Sequence, residues 1–258
     1  MRFLVVLVPL FMLSCKVEVV NRYNYVQRPT DKSVTIAWRS ESDNIGKLAW
    51  GVDPKALNHE LTDTVATKKH AFDINDLNPN TKYYYQTTAS INGQVRIDSF
   101  YTAKRRNADK FSFLHYGDCG TGAAVQDSIA LLMSQQKNID FGLVAGDVDQ
   151  GKGNKYDEIF FEKYADMLSH SCHYTAIGNH DGYYYKAKTY LDAFYLPENG
   201  EEGSLERYYS FTWGDAKFIC LDSNYGLGVP RKEGVKSEKQ EKWLARERAT
   251  EPLYPHSK

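Results

Sequence analysis

Several absences narrow what this 258-residue chain can be. Cysteine is sparse and scattered. Cys15, Cys119, Cys172 and Cys220 have no paired spacing of the kind that builds a disulfide framework or a zinc site. Charge of one sign is also lacking: 32 Lys and Arg against 33 Asp and Glu leave a formal net charge of −1. With no basic stripe, the chain has no electrostatic footprint for nucleic acid, which excludes it as a partner. Internal repeats and low-complexity tracts are missing, and ordinary apolar and charged fractions argue against disorder or coiled coil. The apolar run Phe3–Leu13 is too short to cross a bilayer comfortably.

That run does have the layout of a secretory signal: Arg2, the apolar stretch, then Ser14 and Cys15. A small residue directly before Cys15 resembles the bacterial lipoprotein cleavage site. Residues 1–15 are therefore read as a targeting segment, with Cys15 as a lipidation site and the chain exported to the periplasm or cell surface on a lipid anchor. A plain signal cut slightly later is the alternative. The other three cysteines read as structural. Cys172 and Cys220 lie in or beside strand-like runs, and the carboxylate of Asp118 disfavours a reactive thiolate at Cys119.

Residues 17–103 read as an all-β module. Ser33–Trp38, Lys47–Val52 and Lys82–Ala89 are strand candidates, punctuated by Asp53-Pro54, Asn78-Pro79 and Asn92-Gly93. The stretch from Leu77 to Tyr83 resembles the tyrosine corner of fibronectin type III domains, which implies a β-sandwich with Trp38 as an early core residue. Residues 104–110 (KRRNADK) form a charged linker. Residues 111–258 then alternate strand and helix. Strands are expected over 111–116, 139–145 and up to Ile177, and a hairpin over 208–221. Helices are expected at 123–136 (apolar face Ile129, Leu132, Met133), 156–168 (Ile159, Phe160, Tyr164, Met167) and 237–249.

Three apolar runs in this second module close on Gly followed by Asp or Asn: Gly117-Asp118, Gly146-Asp147 and Gly178-Asn179, the last continuing into His180-Asp181. Such runs read as buried strands turning at their carboxyl ends, where open α/β sheets build their sites. Two carboxylates and an amide offer hard oxygen donors to one point, which suits metal-dependent phosphate chemistry. Asp147, on the middle strand, is the candidate to bridge two metals, with Asp118 and Asn179 serving one each. His180 is placed to hold a phosphate and protonate a leaving oxygen, and Asp181 to orient its imidazole. Each residue alone is an ordinary turn or cap residue; the ordered set is what carries the reading.

The ordered motifs GD, GD and GNHD resemble those of the calcineurin-like metallophosphoesterases. With the β-module ahead of them they look most like purple acid phosphatases, and YDEIFFEKYADML, RYYSFTWGDAKFICLDSN and KQEKWL agree. The resemblance implies a β-sandwich followed by an α/β/β/α metallophosphatase domain. It also implies two metal ions (Fe, Mn or Zn) and hydrolysis of phosphate monoesters as an acid phosphatase-like enzyme. By it Asp118, Asp147 and Asn179 are metal ligands and His180 works on the phosphate. Two positions depart from the family. Gln150 stands where the family's metal-binding Tyr would be, which counts against a ferric–tyrosinate centre, and Tyr156 is too far along to replace it. After Asp222 only His256 remains where the family supplies three His ligands, so the catalytic domain reads as incomplete. A phosphodiesterase or nucleotidase, or a membrane-anchored binding or adhesion protein with an inactive remnant, are the rival readings.

The remaining histidines and Asp222 read as parts of the scaffold. His115 is expected in the core, His170 and His173 in solvent, and His59 and His70 on the sandwich surface. Asp222 is read as fixing a loop. The run Tyr183–Tyr185 is divided between lining a substrate entrance and ordinary packing. Oligomeric state is not legible.

Overall fold

The computed structural model describes residues 18–91, 93–107, 110–183, 185–224 and 238–250. Cys15 with its signal segment, His256 and the side chains of Tyr183 to Tyr185 lie outside the described residues. Eight strands come first: β1 (Glu18–Gln27), β2 (Val34–Asn44), β3 (Lys47–Gly51), β4 (His59–Thr62), β5 (Thr67–Ile74), β6 (Lys82–Thr87), β7 (Ala89–Ser90) and β8 (Asp98–Tyr101). They form two four-stranded sheets, ordered β5-β2-β1-β7 and β4-β3-β6-β8.

Alternation builds this sandwich. In β5 and β6 every second residue is buried, the pattern of strands with one face on a core. Trp38 is fully buried and stacks on Phe72, with ring centroids 5.5 Å apart. The tyrosine corner is present: the Asn78 amide donates to the Tyr83 hydroxyl at 3.0 Å, fixing the turn into β6. His70 corrects the sequence reading. It is buried, stacked on Trp38 at 4.7 Å and bonded to Ser40 (2.7 Å) and Asp63 (2.6 Å), because the alternation of β5 turns it inward.

The rest of the chain is layered. β9 (Phe113–Tyr116), β10 (Phe141–Val144) and β11 (His173–Thr175) make a parallel sheet in the order β11-β10-β9. α1 (Ala124–Ser134) follows β9. A π-helical turn (Asp157–Phe161) and α2 (Ala165–Leu168) stand where one longer helix was expected. α3 (Asn179–Tyr183), a 3-10 turn (Tyr185–Ala187) and α4 (Lys188–Ala193) lead on to the hairpin β12 (Tyr209–Trp213) and β13 (Ala216–Cys220), then α5 (Glu238–Ala249). Phe141 of the parallel sheet meets Phe211, Phe218 and Trp213 of the hairpin at 4.9–5.5 Å between centroids. The outer face of the hairpin bonds α5, through Ser210 to Glu247 at 2.7 Å and Lys217 to Glu247 at 2.6 Å. With Tyr164 packed on Tyr116 across the other side of the parallel sheet, the order of layers is helix, sheet, sheet, helix.

Three sequence expectations are overturned here. α1 turns Gln126 and Ala130 inward and leaves Ile129 and Leu132 exposed, since Gln126 is tied by its amide nitrogen to Ile159 O and by its amide oxygen to Gly122 N. His115 is exposed on β9, whose outer edge has no strand partner among the described residues. His173 is buried, its ring lying over Gly142 on the neighbouring strand. The three free thiols are structural, as expected: burial pushes Cys119 and Cys220 up to about 12 and raises Cys172 further.

The sandwich is docked on the layered unit by buried polar contacts. Arg22 of β1 donates to Asp157 and to the Ala193 carbonyl, each at 2.6 Å, and its guanidinium covers the Phe161 ring at 3.7 Å. The Tyr85 hydroxyl donates to Ser169 O at 2.7 Å. Among the described residues no helix is long and apolar enough to cross a membrane.

Candidate metal and phosphate site

The carboxyl ends of β9, β10 and β11 run side by side, and two glycines let their loops touch backbone to backbone. A Cβ on Gly120 would fall 2.0 Å from Val148 O, and one on Gly178 would fall 2.0 Å from Asp147 Oδ1. No side chain fits at either position, so first loop packs on second and second on third. Cross-links repeat the same pairing: Asp118 N donates to Gly146 O at 3.0 Å, and His180 N to Asp147 Oδ1 at 2.9 Å. The fold thus brings Asp118, Asp147, Asn179 and His180 to one edge.

Asp118 and Asp147 both hold left-handed backbone conformations, with φ of 54° and 49°. Asp tolerates this region better than most residues, yet two such positions at successive strand ends store strain of the kind found at functional sites. Asp118 and Asn179 are exposed, and Asp147 and His180 half-buried. Each carboxylate uses Oδ1 for a protein hydrogen bond, from Gln150 and His180 N respectively. Each leaves Oδ2 without a protein partner among the described residues. The ring Nδ1 of His180 lies 3.0 Å from the Gly151 carbonyl oxygen, which only accepts, so Nδ1 carries the proton and Nε2 is left without a protein partner among the described residues.

Asp181 does something other than orient that imidazole. It is fully buried, and its carboxylate accepts from Val148 N (3.2 Å), Asp149 N (3.3 Å), Gly178 N (3.0 Å) and the Tyr156 hydroxyl (2.9 Å). Burial raises it above the ordinary carboxylate range despite these donors. As the third residue of α3, next to the half-buried His180, it is turned inward beneath the loops. Asp181 is therefore a loop tie beneath the site.

Several neighbours escaped the sequence reading. Asp149 is buried and accepts from the amides of Gly151, Asn154 and Lys155 at 2.7–2.8 Å, shaping the loop that carries Gly151 to His180. The second Asp of Gly146-Asp147-Val148-Asp149 was the available signal. Asn224 donates to Ile177 O and Gly178 O at 3.0 and 3.1 Å, fixing the third strand end from the far side. Asp222, as expected, fixes its loop: it is buried against Arg207 at 2.7 Å and accepts from Asn224 N at 2.9 Å. Tyr156 is buried and committed to Asp181, not to the position of Gln150.

The donor set suits a hard cation only in part. Two carboxylates and an amide oxygen on adjoining loops are right in type and too few for two full shells. Among the described residues there is no group of three or more His, Cys, Asp or Glu disposed to hold a metal ion. The strand ends thus form a half-shell. A separate cleft of about 700 Å³ lies between sandwich and hairpin, lined by residues including Arg28, Asp73, Arg106 and Phe211. None of the strand-end residues lines it, so the motif chemistry and not the cavity locates the site.

A family model described as calcineurin-like phosphoesterase matches residues 111–256. No curated protein matches the chain. Among solved structures, PhoD overlays with a TM-score of 0.63 at 13% identity, covering 90% of this chain and 60% of PhoD. The likeness is one of fold, and the chain spans about 60% of PhoD's length. The RsgI4 anti-sigma factor sensor domain of Pseudobacteroides cellulosolvens covers 33% of this chain and 95% of its own, at 18% identity and a TM-score of 0.26. A fibronectin type III domain of human KIAA0970 covers 35% of this chain and 80% of its own, at 13% identity and the same TM-score of 0.26. Overlays that loose do not bear on the fold.

Proposed function

The chain belongs to the calcineurin-like phosphoesterase family, whose model spans 146 of its 258 residues, and from that premise we propose that it hydrolyses phosphate monoesters at the strand-end site. The observation that carries the reading is the convergence of Asp118, Asp147, Asn179 and His180 through the contacts at Gly120 and Gly178. Asp118, Asp147 and Asn179 would hold the metals, with Asp147 between the other two. When bound, a metal pair supplies polarisation of the phosphoryl group and activation of water.

The chain's own groups do the rest. His180, held through Nδ1 by Gly151, presents Nε2 to a phosphate bound at the strand ends. Protonated, Nε2 donates to a phosphate oxygen or to the departing alkoxide; neutral, it can only accept. Asp181, Asp149 and Asn224 keep the loops in register beneath it. We extend the proposal to an exported protein held at the membrane through Cys15, on the layout of residues 1–15.

The half-shell favours one second reading, a binding protein with an inactive remnant. Initial rates on p-nitrophenyl phosphate and bis-p-nitrophenyl phosphate, each with added Mn²⁺, separate the readings. Faster turnover of the monoester supports the proposal, faster turnover of the diester replaces it with a phosphodiesterase, and no turnover of either supports the remnant.

A further inference from the structure

Gln150 spans the first two loops. Its amide nitrogen lies 2.6 Å from Asp118 O and also bonds Asp118 Oδ1. Both atoms are acceptors, so the amide turns its NH₂ toward them. The main-chain amide of Gln150 donates to Gly120 O at 3.0 Å, a third tie to the same loop. Asp118 is otherwise exposed, on a left-handed backbone, and without a tether its carboxylate would be free to change rotamer. The side chain that restrains it is a neutral amide and brings no charge to the site. With Oδ1 occupied, Oδ2 is the oxygen left free of a protein partner among the described residues.

We propose that Gln150 is a positioning residue for cation binding, fixing Asp118 so that it offers Oδ2 as a single-oxygen ligand. This rests on the reading of Asp118 and Asp147 as ligands. Groups that hydrogen-bond a metal-ligating carboxylate are worth about 10–100-fold in metal affinity. A neutral amide also suits divalent cations, because it adds no charge of its own to the site.

The test is Mn²⁺ binding, by calorimetry, to the wild-type chain, Gln150→Leu and Asp147→Asn, with the metal-free melting temperature of each. Leu keeps the approximate volume and removes the donor. We expect Gln150→Leu to bind Mn²⁺ about 10–100-fold more weakly with its metal-free melting temperature unchanged. A purely structural role would lower the melting temperature and leave the affinity alone, which overturns the proposal, as does wild-type affinity in Gln150→Leu. Asp147→Asn separates the two claims, since Asn tolerates the left-handed backbone and still accepts from His180 N. Loss of binding there with none in Gln150→Leu removes only the positioning role. A wild-type chain that binds no Mn²⁺, or Asp147→Asn that binds it undiminished, removes the ligand reading and this inference with it.

Discussion

Gly178 lies directly against Asp147, so that a Cβ at residue 178 would stand 2.0 Å from Asp147 Oδ1 and 2.1 Å from its amide nitrogen. The spacing explains why Gly must precede Asn179: the third strand end reaches the second only if nothing projects between them. We expect Gly178→Ala to cost about 3 kcal/mol of stability, as overpacking against backbone does. Because it displaces Asp147, it should also abolish Mn²⁺ binding. Urea denaturation and calorimetry on the same preparation check both.

Asp181 gathers four donors from three segments, and removing the carboxylate strands them in a buried place. We expect Asp181→Ala to lose about 3 kcal/mol or more, and Asp181→Asn less, since its amide oxygen still accepts. Because burial raises the folded carboxyl above its unfolded value, the folded chain binds more protons just above the ordinary carboxylate range. Stability should fall as pH rises through that window. In Asp181→Asn this slope should vanish from the urea midpoint measured against pH.

His173 titrates in the opposite sense. It is buried between Tyr116 (2.7 Å) and Ser171 (3.2 Å), and burial lowers it to about 4. Between about 6.5 and 4 the unfolded chain takes up a proton that the folded chain refuses, so stability falls as pH falls. At about 1.4 kcal/mol per unit, the loss reaches about 3 kcal/mol by pH 4. Replacing His173 with Gln should flatten the dependence of the urea midpoint over this range.

The sandwich is held to the layered unit by Arg22, whose guanidinium is buried against Phe161. Arg22→Met keeps the stem but leaves Asp157 without its donor and the Ala193 carbonyl with only the longer bond from the Tyr25 hydroxyl, at 3.2 Å. We expect about 2–3 kcal/mol of destabilisation, since one partner of a largely buried pair is lost. Limited proteolysis should cut residues 104–110 faster in this variant.

Much of this was legible from local chemistry. Strands over β2, β3, β6 and β9 to β13 announced themselves by apolar runs between turn residues, and the tyrosine corner by Leu77 to Tyr83. What stayed hidden was set by tertiary contact. β1 carries the buried polar residues Arg22 and Asn24, which break its apolar pattern because they bond across to other elements. His70 and His173 read as surface residues since nothing local reveals the aromatic and hydroxyl partners that accept them inside. The ordered motifs marked the strand ends. Their spacing could not reveal that Asp181 would turn inward, or that Gln150 would reach back to Asp118.

Metal-dependent hydrolysis at the strand ends is tested most directly by the initial rate of p-nitrophenyl phosphate hydrolysis, with Mn²⁺ and after EDTA, for the wild type and Asp147→Asn. We expect turnover by the wild type that EDTA removes and Mn²⁺ restores, and a rate about 10²–10³-fold lower in Asp147→Asn, the several kcal/mol that metal polarisation supplies. A wild-type rate indifferent to EDTA, or one that Asp147→Asn retains in full, would contradict it.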